Sequence, residues 1–197
     1  MVRRNPSRTA LRIGSAASSS RAFAAISGQT VAQMPDLVRA LAFVKKAAAQ
    51  ANAELGALDR ERAAAIERAC DDLIGGALHE QFVVDVIQGG AGTSTNMNAN
   101  EVIANLALES LGHKKGEYQH VNPNDHVNFG QSTNDVYPTA FHLGLILRLE
   151  SYMEALRQLQ AAFFAKAREL DRVLKMGRTH LQDAVPMSMG AEFHGWG

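Results

Sequence analysis

From Pro138 to Phe163 the chain reads PTAFHLGLILRLESYMEALRQLQAAF, in which Leu145, Leu149, Tyr152, Leu156, Leu159 and Phe163 recur at alternating steps of four and three. That alternation is the seam of a helix packed lengthwise against other helices. Phe141, Leu143, Ile146 and Leu147 make the first half apolar nearly all round, which predicts a helix that starts near Pro138 and is enclosed by neighbours. A chain of 197 residues offers few such neighbours. The expected fold is therefore mainly α, a small N-terminal helical domain with little β followed by the first long helix of a bundle that further sequence, other subunits or both complete.

Upstream, two more helices are legible. One begins at Pro35, carries Leu37, Leu41, Val44 and Ala48 on one stripe and stops at Gly56. The next runs from about Asp59 with Ala63, Ile66, Cys70 and Leu73 inward, until Gly75-Gly76 breaks it. The β-branched run Phe82 to Ile87 reads as a strand or extended segment that delivers the chain to a glycine-rich loop. Met97 to Leu111 reads as a third helix closed by Gly112.

Composition narrows the function classes. Lysine plus arginine equals aspartate plus glutamate at 20 each, so no global field draws the chain to nucleic acid or to an anionic membrane. No apolar run approaches the roughly twenty residues of a membrane-spanning helix. Cys70 is the only cysteine, which excludes an intrachain disulfide and fits a reducing, cytoplasmic setting. The first 28 residues, with Arg3, Arg4, Arg8, Arg12 and Arg21 among Ser and Ala, read as a flexible basic tail rather than a transit peptide, because they lack a sustained amphipathic period.

Three polar clusters stand at element boundaries: Gly89 to Asn96 (GGAGTSTN), Gln131 to Asp135 (QSTND) and Gly177 to Gln182 (GRTHLQ). Each is rich in hydroxyl and amide donors, and glycine lets a ligand approach the main chain, so a small dicarboxylate suits them. The first cluster is neither a dinucleotide fingerprint, which needs glycine at Thr95, nor a phosphate loop, which ends in Gly-Lys-Ser/Thr. Singly, each is also explained as a turn or a helix cap, with Ser132, Thr133 or Asn134 capping the long helix. None of the seven histidines sits at His-Glu-x-x-His or another zinc spacing, so no metal-ligand cage is predicted.

Taken together, the clusters occur in the order and nearly the wording of the aspartase and class II fumarase superfamily, which the chain resembles from about Ile26 to Trp196. The likeness is dense at Gln88 to Asn105 (QGGAGTSTNMNANEVIAN) and Gly112 to Asp135 (GHKKGEYQHVNPNDHVNFGQSTND), and resumes at Gly177 to Gly190 (GRTHLQDAVPMSMG). Gly112 to Tyr118 is similar to the aspartase version, Asn122-Pro123-Asn124-Asp125 has Asn where fumarases usually have His, and Thr133 stands where they usually have a second Ser. The resemblance thus favours aspartase over a class II fumarate hydratase.

What it implies is reversible elimination of ammonia from L-aspartate to give fumarate, without an organic cofactor. By similarity Thr93, Ser132 and Thr133 would hold the substrate carboxylates, Asn134 and Thr179 would contact its polar groups, and His180 would orient it near the amino group. Asn96 is a further substrate-binding candidate. The implied domains are a tail over 1–28, an N-terminal lyase domain over 29–133 and the start of the central bundle over 134–197, in a homotetramer. Family members continue well beyond this length and carry a flexible Gly-Ser-Ser loop whose serine is taken as the general base. No such loop occurs in these 197 residues, so the expectation is an incomplete chain, inactive by itself. The other possibility weighed is a non-catalytic, dicarboxylate-binding remnant.

Overall fold

A computed structural model of the chain describes residues 27–87 and 90–197; most of the expected basic tail, and Gln88 and Gly89, lie outside them. The architecture is mainly helical, with one two-stranded sheet. It divides into two compact units, one ending at Leu147 and the other running Arg148–Gly197.

In the first unit, helix α1 (Pro35–Glu54) starts on Pro35 with Asp36 in its first turn, where a fixed φ and a negative charge both suit a helix start. It buries Leu37, Val38, Leu41 and Ala42. The expected stripe continues through Lys45 and Ala49 rather than Val44 and Ala48, which are only half-buried. Helix α2 (Arg60–Ile74) turns Ala63, Ile66, Cys70 and Leu73 inward, as its periodicity requires. Asp59 caps it by accepting from the Arg62 N–H at 2.9 Å, and its other oxygen takes the Arg62 guanidinium at 2.6 Å. We expect Asp59→Ala to cost about 1 kcal/mol, read as a lowered urea midpoint with an unchanged slope.

Helix α3 (Thr93–Ser110) is buried on every side from Thr95 to Leu108, apart from half-buried Met97, and packs against α2. It begins four residues before the expected Met97, so Thr93 to Asn96 form its first turn rather than a loop. The run Phe82 to Ile87 is extended but forms no full strand. Val84 and Phe82 carbonyls accept from Val31 and Ala32, and Thr30 bridges Asp85.

Helix α4 (Thr133–Glu169) begins five residues before Pro138. The Ser132 hydroxyl accepts from the Asn134 N–H at 3.2 Å, so a cap upstream overrides the proline. The missing proline N–H costs one bond, to the carbonyl of exposed Asn134. Val136 and Ala140 are buried, and Gly144 lies so close to α1 that a Cβ there would sit 3.3 Å from Leu37 Cα. Farther along, Leu145 (52 %), Ile146 (64 %) and Leu159 (53 %) are exposed. The apolar seam is therefore present, and from Leu145 to Leu159 no helix among the described residues encloses it.

The second unit contains the C-terminal part of α4, an antiparallel hairpin of β1 (Leu174–Thr179) and β2 (Gln182–Ser188), and α5 (Met189–Trp196). Phe163, Phe193 and Trp196 pack with ring centroids 5.2–6.3 Å apart. Gly190 approaches α4 so closely that a Cβ would be 2.4 Å from the Ala167 carbonyl oxygen. Among the described residues no helix is long and apolar enough to cross a membrane.

Candidate dicarboxylate site

The first two polar clusters meet in the first unit. The chain enters α3 through Gly90, Ala91 and Gly92, all left-handed at φ +88°, +52° and +84°. This coil presents the first N–H groups of α3, and Thr93 closes it by donating its hydroxyl to the Gly90 carbonyl at 2.7 Å. Gly92 has a specific reason to be glycine, since a Cβ there would lie 2.3 Å from Tyr137 Cγ of α4. Buried Asn96 then donates to Thr133 Oγ1 at 3.0 Å and to Asn128 Oδ1 at 3.2 Å. Through this one amide, the first turn of α3 is joined to the first residue of α4.

Below the junction lies Lys45, fully buried on α1. Its ammonium donates to Asn128 Oδ1 at 2.8 Å and Gln131 Oε1 at 2.9 Å. Asn128 donates to the Gln131 carbonyl, and Gln131 to that of Val127, at 3.0 and 2.9 Å. Burial lowers the Lys45 pKa to about 7, since a low-dielectric surrounding disfavours the charged form. The same burial pushes the Cys70 thiol, on the facing helix α2, up to about 12.

Two helix N-termini thus come together over a buried lysine. N-terminal N–H groups, helix dipoles and an ammonium all favour anions; Ser132, Thr133 and Asn134 add neutral donors, with the exposed carboxylate of Asp135 beside them in the first turn of α4. Thr93, Ser132 and Asn134 are exposed and Thr133 half-buried. Asn96 Oδ1 is buried and has no hydrogen-bond partner among the described residues, which leaves one acceptor beside the donors. Such a site holds carboxylates by hydrogen bonds and retains an acceptor for an ammonium group.

Of the predicted site residues, Thr93, Asn96, Ser132, Thr133 and Asn134 belong to this first unit. Thr179 and His180 belong to the second, where Thr179 ends β1 and His180 with Leu181 forms the two-residue hairpin turn at φ +51° and +61°. Both are exposed, and Arg178 and Asp183 pair across the hairpin at 3.0 Å. Lys45, Asn128 and Tyr137 were not predicted. Lysine in register with Leu37 and Leu41 was the visible sign of the first, because a lysine on a core stripe needs buried partners.

Elsewhere, His113, Glu117 and His120 bring one potential ligand atom each to within 4.8 Å of one another. No zinc spacing had marked them.

A family described as lyase matches residues 12–197. Over 169 residues the chain is 61% identical to an aspartate ammonia-lyase of Pseudomonas aeruginosa, covering 86% of this chain and 36% of that protein. A solved structure of a fumarate lyase:delta crystallin from Brucella melitensis, bound to cobalt, is 54% identical with a TM-score of 0.83, over 98% of this chain and 42% of that one. A recombinant class II fumarase from Schistosoma mansoni is similar at 37% identity and a TM-score of 0.76, over 92% of this chain and 38% of that one. The chain spans about a third of the length of the curated relatives it matches.

Proposed function

Because the chain belongs to the lyase family that it matches from residue 12 to 197, we propose that it is the N-terminal portion of an aspartate ammonia-lyase, which eliminates ammonia from L-aspartate to give fumarate. The observation that carries this choice is the 61% identity to an aspartate ammonia-lyase against 37% to a class II fumarase. The class II fumarase alternative is correspondingly not favoured.

Elimination requires removing a proton from carbon beside a carboxylate, and the dianionic intermediate needs donors aimed at its developing charge. In this proposal Thr93, Ser132 and Thr133 hold the substrate carboxylates, supported by the two converging helix starts. Asn134 and Thr179 contact its polar groups, Asn96 offers Oδ1, and His180 orients the amino group. The domain division at 133/134, a homotetramer and a cytoplasmic location belong to the same proposal. The exposed seam of α4 supports assembly, and a buried thiol supports a reducing compartment. The proposal also includes that these 197 residues alone turn over nothing, as the loop serine that the resemblance makes the base is not among them.

The test puts residues 27–197 in place of the matching segment of the Pseudomonas aeruginosa enzyme and follows fumarate by ultraviolet absorbance. The chimera is expected to form fumarate from L-aspartate and not from L-malate, and Thr133→Ala within it to lower kcat/KM about a hundredfold. Turnover of L-malate alone would replace the aspartase assignment with fumarase. Aspartate turnover by the 197 residues alone would refute the claim that the base lies outside them.

A further inference from the structure

The turn after α3 carries His113, Glu117 and His120, away from the residues proposed to hold substrate. The two imidazoles stack with centroids 3.8 Å apart and planes 7° from parallel. His113 Nδ1 lies 3.6 Å from Glu117 Oε2. All three side chains are half-buried, so they are both held and reachable. We propose that His113, Glu117 and His120 form a binding site for a borderline divalent cation of the zinc class.

The backbone under the three ligands is anchored. The His113 N–H donates to the Leu108 carbonyl at 2.9 Å, that of Glu117 to Lys114 at 3.2 Å and that of His120 to Glu117 at 3.0 Å. Asn105, buried on α3, accepts from the Gly116 N–H at 2.9 Å, while the Arg62 guanidinium donates to the His120 carbonyl. The competing cation Lys115 is drawn to Glu109 at 3.3 Å, which leaves Glu117 to the histidines and the Lys114 N–H. Ligands around one tetrahedral Zn2+ stand about 3.3 Å apart, from bonds near 2.0–2.1 Å. Closing from within 4.8 Å to that spacing takes side-chain rotations, since the turn is already shaped. The rings must also leave their stack, because parallel rings do not aim two lone pairs at one point.

Two imidazoles and one carboxylate select zinc, nickel or cobalt over magnesium or calcium, which prefer all-oxygen ligation. Three protein ligands leave a fourth position for water. A bound ion would tie both ends of the turn together and stabilise the fold by mass action.

The experiment is calorimetric titration of the 197-residue chain with Zn2+ and, separately, Mg2+, with thermal melts in each ion. One Zn2+ per chain is expected, with no Mg2+ binding at the same concentrations and a melting temperature that rises with Zn2+ alone. His113→Ala, His120→Ala and Glu117→Gln should each weaken Zn2+ binding at least tenfold and cancel the thermal shift. His142→Ala and His194→Ala, at exposed positions outside the turn, should change neither. The variants are partly exposed, and a metal-free melt matching the parent shows that each folds. Absence of Zn2+ binding, or binding that survives His113→Ala and His120→Ala, would overturn the site. Equal binding of Mg2+ would overturn the metal class.

Discussion

Gly92→Ala should be among the most damaging single substitutions in the first unit, costing about 2–5 kcal/mol. Two independent penalties add. Alanine at φ +84° carries about 1–2 kcal/mol of left-handed strain. Its Cβ would also stand 2.3 Å from Tyr137 Cγ and 2.5 Å from both neighbouring ring carbons, so the ring must leave, at about 1–3 kcal/mol for forced repacking. The displaced ring belongs to the first turns of α4, four residues from Thr133. Gly92→Ala should therefore disturb the α3–α4 junction as well as stability. The double variant with Tyr137→Ala separates the penalties. Relief of the clash makes the two substitutions cost less together than their sum, by at least 1 kcal/mol in urea unfolding, while the φ strain persists. Strict additivity would show that the ring does not crowd Gly92.

The second large effect is a stability that rises with pH on the alkaline side of neutrality. Lys45 has a folded pKa of about 7 against 10.5 unfolded, so between those values the folded state binds fewer protons and stability increases as pH rises. Cys70 acts oppositely. Its pKa is about 12 against 9.0, so above pH 9 the unfolded thiol ionises first and stability declines. Each group contributes up to about 1.4 kcal/mol per pH unit. The unfolding free energy should thus climb by about 2–3 kcal/mol from pH 7 to 9, level off until about 10.5, and fall beyond.

His126, whose pKa burial lowers from 6.5, acts below this window, and Tyr118, raised from 10.0 mainly by burial, adds to the late decline. Lys45→Met should abolish the rise between pH 7 and 9, and Cys70→Ala should extend it toward 10.5. Urea midpoints at unit pH intervals decide the matter. A flat parent profile would mean that Lys45 keeps its proton through its bonds to Asn128 and Gln131.

Much of the fold was legible because local rules and tertiary demands agree there. Pro35, Asp59 and the Gly75-Gly76 break bound helices at or near the expected residues, and the inward set Ala63, Ile66, Cys70 and Leu73 follows from helical period alone. The sequence offered two starts for α4, one near Pro138 and one at a cap among Ser132, Thr133 and Asn134; the structure takes the Ser132 cap, since one lost hydrogen bond at an exposed carbonyl is cheap beside a capped helix end. The hairpin over 174–188 left no turn signature. His180 and Leu181 both adopt positive φ, where glycine or asparagine is the usual mark.

For the site, residue chemistry announced donors suited to an anion, and their order announced the lyase family. Composition and spacing alone determined the helical class, the inward face of α2 and the first half of that of α1, since each depends on near neighbours in the chain, while the choice of Thr93, Ser132, Thr133 and Asn134 within the polar clusters came from the resemblance. Only the tertiary structure decided that Asn96 bonds Thr133, that Lys45 is buried under Asn128 and Gln131, and that His113 stacks on His120. Those facts depend on which elements cross and where a side chain finds partners once water is excluded, and no periodicity along the chain encodes that.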